Sequence, residues 1–219
     1  MDKELRYNDF AGFLTRKFPF KVQKLSVNAG FTCPNRDGSK GYGGCTYCNN
    51  QTFNPEYCRT EKTVSVQLEE GKQFFARKYP QMKYLAYFQA YTNTYGELEQ
   101  LKRMYEEVLA VEDVVGLVIG TRPDCMPDTL LDYLEELNRQ TFLLVEYGIE
   151  SSWKRYPDRR SCDIGTSGRR FRKADSAGRN LVAVAADNPE DASVAVDKGD
   201  TYGTRIRITS RSISSVCSR

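Results

Sequence analysis

Apolar residues recur along the first 150 positions with two alternating periods. Val22-Gln-Lys-Leu-Ser-Val27 alternates in steps of two, which suits a strand. Leu98, Leu101, Met104, Tyr105, Val108 and Leu109 fall at i, i+3, i+6, i+7, i+10 and i+11, a single apolar stripe on a helix. Val64 to Tyr79 has a similar helical spacing and stops at Pro80, and Pro127-Asp128 opens a third helix bearing Leu130, Leu131, Leu134 and Leu137. Between these helices lie β-rich runs at Tyr84–Gln89, Val114–Ile119 and Phe142–Tyr147, the last two apolar enough for strands buried on both faces. A short amphipathic lead-in, Leu5 to Phe18, precedes Pro19. Four strands with three intervening helices predict an α/β fold with a parallel sheet joined by right-handed crossovers. The pattern alone leaves barrel and open sheet both available.

After Ser151 the periodicity ends. Residues 151–219 hold 14 Lys and Arg against 8 Asp and Glu, whereas residues 1–150 hold 18 against 21. Of the 26 aromatic residues, 22 precede position 151, and Leu181 is the single leucine beyond it. Two stretches of different character therefore meet near Glu150-Ser151, giving a core at residues 1–151 and a basic tail at 152–219 rich in Ser and Arg. Leu181-Val-Ala-Val-Ala-Ala186 is the one part of the tail with appreciable apolar content. Such a composition is expected to remain unstructured. The outer edge of the fourth strand would then stay unpaired unless the tail covers it, and the chain would be marginally stable.

Histidine is absent. That excludes Ser-His-Asp and Cys-His nucleophile activation and any His-based zinc hydrolase. The N-terminal MDKELRYNDF is charged where a secretory signal would be apolar, and no run approaches the ~20 apolar residues needed to span a bilayer. A cytoplasmic location without membrane association is expected, and there seven cysteines are more often thiols, metal ligands or redox groups than disulfides.

Three of them, Cys33, Cys45 and Cys48, lie in a Gly-, Pro- and Asn-rich loop directly after the first strand. Soft thiolates in a flexible loop select zinc, copper(I) or an iron–sulfur cluster. With Cys58 as a fourth ligand the loop could form a closed zinc site, which with the basic tail would make a nucleic-acid-binding module. Against zinc, only Cys45 and Cys48 form a close pair, and the loop follows a strand on the face where βα folds place their active sites. Three ligands leave one iron of a four-iron cluster open.

The segments Asn28-Ala-Gly-Phe-Thr-Cys-Pro-Asn-Arg-Asp-Gly38, Gly43-Gly-Cys-Thr-Tyr-Cys-Asn49, Tyr84-Leu-Ala-Tyr-Phe-Gln-Ala-Tyr-Thr-Asn-Thr94, Gly120-Thr-Arg-Pro-Asp-Cys125 and Glu146-Tyr-Gly-Ile-Glu-Ser151 resemble, in order, a family of bacterial radical S-adenosylmethionine (SAM) proteins related to the elongator-type tRNA-modifying enzymes. The resemblance covers residues 5–151. It implies a partial (β/α) radical SAM barrel in which Cys33, Cys45 and Cys48 bind a [4Fe–4S] cluster and S-adenosylmethionine chelates the fourth iron. Reductive cleavage would then yield a 5′-deoxyadenosyl radical for hydrogen abstraction, with electrons from a donor such as a flavodoxin or ferredoxin and with tRNA as a candidate substrate. It further implies that Tyr47 lies near the adenine, Gln89 near the methionine moiety and Glu150 near the ribose. Arg122 would face the same cavity or form a salt bridge at its strand end. Cys58 and Cys125 are expected as free thiols, and Cys162 and Cys217 receive no role.

Past Ser151 the family's further βα units and its histidine-containing segments are missing. A change of reading frame explains both the composition shift and the unpatterned tail. Nucleotides able to encode Arg211–Ser218 can, read one base earlier, give a string containing the expected His-Gln-Leu. On this view the chain is a truncated radical SAM protein, either still active or an inactive fragment that retains its cluster loop.

Overall fold

The computed structural model describes residues 10–45, 48–49, 54–76, 81–122 and 124–148, together with three short strands at 181–185, 196–197 and 205–206. In chain order the elements are α1 (Phe10–Lys17), β1 (Val22–Val27), α2 (Val64–Ala76), β2 (Lys83–Phe88), α3 (Leu98–Leu109), β3 (Val114–Thr121), α4 (Asp128–Gln140), β4 (Phe142–Gly148), β5 (Leu181–Ala185), β6 (Val196–Asp197) and β7 (Arg205–Ile206). The chain is thus α/β, as its periodicity predicts. No helix among the described residues is long and apolar enough to cross a membrane.

β1 to β5 form one sheet in sequential order with every pairing parallel. Its two faces differ. Leu25, Val27, Ala86, Phe88, Leu117, Ile119, Leu143 and Val145 point to one side, where they bury the apolar stripes of α2, α3 and α4. Tyr105 of α3 is fully buried there, edge-on against Phe88, and its hydroxyl donates to the Asn93 carbonyl at 2.5 Å. A buried phenol needs such a partner. The opposite face carries Leu85, Val118 and Leu144 under Leu14 of α1, with Phe10, Phe13, Phe18 and Phe142 around them. Three successive crossover helices on one face, with no reversal of strand order, differ from a doubly wound sheet, which reverses its order and covers both faces.

The α1 face is concave, and one ion pair demonstrates it. Lys24 on β1 donates to Glu146 on β4 at 2.8 Å. Following the register from Lys24 through Leu85 and Gly116 to Phe142, Glu146 lies three strands across and four residues further along. On a flat sheet that separation is about 20 Å, from strand spacings of ~4.8 Å and a rise of ~3.3 Å per residue. Two side chains cannot span it, so the sheet must curl around this face. One extra residue in β3, Val115, marks a bulge in the β2–β3 ladder and packs against the same side. Bulges bend and twist strands in this way. Above Tyr87 (4.1 Å) and Phe10 (4.7 Å), the Lys24 ammonium lies over two aromatic rings.

β5 comes from the segment expected to be part of an unstructured tail, so four strands is one too few. Leu181–Ala185 pairs residue for residue with Leu144–Gly148, supplying the partner that the edge of β4 needs. β6 and β7 make a two-residue antiparallel pair. Cys162 and Cys217 lie outside the described residues.

Candidate metal centre

The cysteine loop leaves β1 at Asn28 and folds back through nested turns. The amides of Arg36 and Asp37 donate to the Cys33 carbonyl, those of Lys40 and Gly41 to Pro34, and that of Gly44 to Asn35. A single antiparallel bridge joins Asp37 to Tyr42. Gly38 and Gly44 adopt φ of 96° and 86°, and a Cβ on Gly38 would lie 2.7 Å from the Tyr42 ring. Glycine supplies a left-handed backbone without steric cost, and here it also leaves room for the aromatic ring. The turns bring Cys45 back beside Asn35, ten residues away in sequence.

Two of the loop sulfurs receive N–H donors. The fully buried Asn35 points Nδ2 at Cys45 Sγ, 3.0 Å away. Arg122, just past β3, places Nη1 4.0 Å from Cys33 Sγ. Its guanidinium is clamped by Asp124, with Nε to Oδ1 and Nη2 to Oδ2 both 2.9 Å. Lys40 of the loop pairs with the same carboxylate. Burial alone would raise the Asp124 pKa, but hydrogen bonds and charge from Arg122 and Lys40 outweigh it and hold the carboxyl well below the usual range. A hydrogen bond between Ser39 and Tyr95 (2.7 Å) and one from Thr92 N–H to the Thr32 carbonyl (3.2 Å) fasten the loop to the segment after β2, as Lys40–Asp124 does to the segment after β3.

Cys33 and Cys45 are partly exposed and Cys48 is exposed, its amide donating to the Cys45 carbonyl at 3.1 Å. Among the described residues no three Cys, His, Asp or Glu side chains are already drawn together as a metal-holding group. The chemistry of the set nevertheless fits a thiolate-bound metal centre. Three soft donors share one loop at a sheet rim, two of them with N–H groups aimed at sulfur. Beside them the Thr92 hydroxyl, 1% exposed, has no hydrogen-bond partner among the described residues.

Cys58 and Cys125 are placed apart from that role. Cys58 is buried and donates its S–H to the Ser26 carbonyl at 2.7 Å, and burial pushes its pKa up to about 12. Cys125 is likewise pushed up to about 12, by burial first and then by the Asp124 charge. Both remain protonated thiols near neutrality. Gln89, one residue past β2, receives a hydrogen bond from Ser26 Oγ at 3.3 Å, which puts it on the concave face. Arg122 forms the expected salt bridge at its strand end, with Asp124, and its Nη1 also lies 4.0 Å from Cys33 Sγ. Tyr47 and Glu150 lie outside the described residues.

Two groups of residues escaped the reading of the sequence. Gln67 of α2 is fully buried. Its Oε1 accepts from Asn28 N–H, and its Nε2 donates to the carbonyls of Asn28, Arg59 and Lys62, so one side chain fixes both ends of the cysteine loop. The available signal was a glutamine on a helix face otherwise buried through Val64, Leu68 and Gly71. The second group is Lys24, Tyr87 and Glu146 in the concavity. Burial raises the Tyr87 pKa above its ordinary value, and the neighbouring Glu146 carboxylate raises it further.

No protein-family model matches the chain, and no solved structure matches it. Among curated proteins it is 42% identical over 152 residues to the uncharacterized protein YtqA of Bacillus subtilis, covering 69% of this chain and 47% of that one. It is 42% identical over 146 residues to protein YhcC of Escherichia coli K12, covering 66% and 46%. An uncharacterized protein of Methanocaldococcus jannaschii is 30% identical over 142 residues, covering 64% and 42%. The chain spans about half the length of the curated relatives it matches.

Proposed function

We propose that the chain is the N-terminal part of a radical SAM enzyme in which Cys33, Cys45 and Cys48 hold a [4Fe–4S] cluster with one iron left for S-adenosylmethionine. The observation that carries this reading is the gathering of three cysteines in one loop after β1, with Asn35 Nδ2 3.0 Å from Cys45 Sγ and Arg122 Nη1 4.0 Å from Cys33 Sγ. The sequential curled sheet with α2–α4 on its convex face supports a barrel wall, whose C-terminal rim is where such folds work. Engagement of Cys58 with Ser26 favours three ligands over a closed four-cysteine zinc site.

When bound and reduced, the cluster with S-adenosylmethionine would supply a carbon-centred radical for hydrogen abstraction. The chain's own residues bind, orient and shield. Asp124 holds the Arg122 guanidinium against Cys33, and Lys40 ties the loop to the same carboxylate. Gln89 and Ser26 present polar groups at the strand ends. Below them lie the Lys24–Glu146 pair and the aromatic residues of α1, packed on the concave face.

Anaerobic reconstitution with iron and sulfide tests the reading. It should give roughly four irons per chain and a broad absorbance near ~400 nm that Cys45→Ala abolishes. Added S-adenosylmethionine should alter the electron paramagnetic resonance signal of the reduced cluster, which requires an open iron. Tight stoichiometric zinc without that band would refute it.

A further inference from the structure

Metal-bound sulfur responds to its surroundings. Each N–H donated to a ligating sulfur withdraws electron density and stabilises the reduced, more negative state, and a nearby positive charge does the same. The loop provides both devices, and they come from independent parts of the chain.

Asn35 is locked in place by its burial and by Gly44 N–H donating to its backbone carbonyl at 2.9 Å, so its side-chain amide meets Cys45 Sγ from a fixed position. Arg122 is 7% exposed and oriented by the two hydrogen bonds to Asp124, which direct Nη1 toward Cys33 Sγ. Lys40 adds a second cation on Asp124. With that carboxyl held ionised, Lys40, Arg122 and Asp124 carry one net positive charge beside Cys33. A salt bridge serving only to fasten the loop would not need its guanidinium turned toward sulfur, and Lys40 alone already joins loop to rim.

Building on the cluster assignment above, we infer that Asn35 and Arg122 are positioning residues that raise the cluster's reduction potential through N–H donation to Cys45 and Cys33. Their effect is on how readily the cluster accepts an electron.

The experiment is a redox titration of the anaerobically reconstituted chain, followed by electron paramagnetic resonance, with iron and sulfide counted in each sample. Asn35→Leu removes the amide donor at similar volume, Arg122→Gln removes the charge, and Arg122→Lys restores it. Full iron content with a more negative midpoint in Asn35→Leu and Arg122→Gln, partly recovered in Arg122→Lys, is the expected result. Unchanged or more positive midpoints with full clusters would overturn the inference while leaving the cluster assignment standing. A wild-type chain that takes up zinc and no iron would overturn both. If Asn35→Leu loses iron, the comparison of Arg122→Gln with Arg122→Lys decides the outcome, since Arg122 lies outside the ligand loop.

Discussion

The Lys24–Glu146 pair ties the first strand to the fourth across the concave face, and its removal should be felt by the whole sheet. The two side chains are 24% and 10% exposed, which places the pair between surface and buried regimes. Exposed pairs contribute at most about 1 kcal/mol, whereas deleting one partner of a buried pair costs about 3–5 kcal/mol. Lys24→Met leaves the Glu146 carboxylate without its cation and should cost about 3 kcal/mol by that comparison. Glu146→Gln should cost less, about 2 kcal/mol, because the ammonium keeps its contacts with the Tyr87 and Phe10 rings, each worth about 0.5–1 kcal/mol. The double variant should cost clearly less than the sum of the two, with a coupling of about 1.5 kcal/mol. For a chain of this size the Lys24→Met change corresponds to a Tm lower by about 6–12 °C. Glu146→Gln should also lower the Tyr87 pKa part of the way toward ordinary, since burial, the larger cause, remains. Urea denaturation followed by circular dichroism measures the first set of effects, and tyrosinate absorbance against pH measures the second. Single variants within about 0.5 kcal/mol of wild type, with no coupling, would show the charges to be screened as on a surface and would remove the basis for the curled sheet.

Gly116→Ala would place a Cβ 2.3 Å from the Phe142 carbonyl oxygen, so β3 and β4 must separate, and soluble yield should collapse. Gly120→Ala, with 3.2 Å to the Phe88 carbonyl oxygen, should be milder and serves as its comparison. Asp124 has a folded pKa below its unfolded value, so its stabilisation is fully present above about pH 5 and fades as pH falls through the ordinary carboxylate range toward the folded pKa. Asp124→Asn should therefore flatten the loss of stability between about pH 5 and pH 2, read from urea midpoints across that range. Among the five cysteines of the described residues, alkylation of the metal-free chain at pH 8, followed by peptide mass spectrometry, should label Cys48 first and Cys58 and Cys125 last, because the latter are buried with pKa values pushed up to about 12.

The alternation of hydrophobic periods located the elements closely. β1 and α3 have the bounds their patterns predict, and β2, β3, α4 and β4 differ by a few terminal residues. Local periodicity suffices there because each element buries one stripe or one face. β5 was hidden because five apolar residues carry no period of their own, and only the unpaired edge of β4 gives them a place. Lys24 and Glu146 were hidden for a different reason. Their meeting depends on curl accumulated over three strand pairings, which no window of sequence contains. The thiols of the cysteine loop were legible from spacing and composition. Their donors were not, because Asn35 reads as an ordinary turn residue and Arg122 comes from 89 residues away.

α1 covers part of the concave face, the charged pair lies across its middle, and the cysteine loop follows directly from the end of β1. Because β1 carries both Lys24 and the root of the loop, a change of curl that parts Lys24 from Glu146 also displaces the loop, and the two features are mechanically linked through one strand.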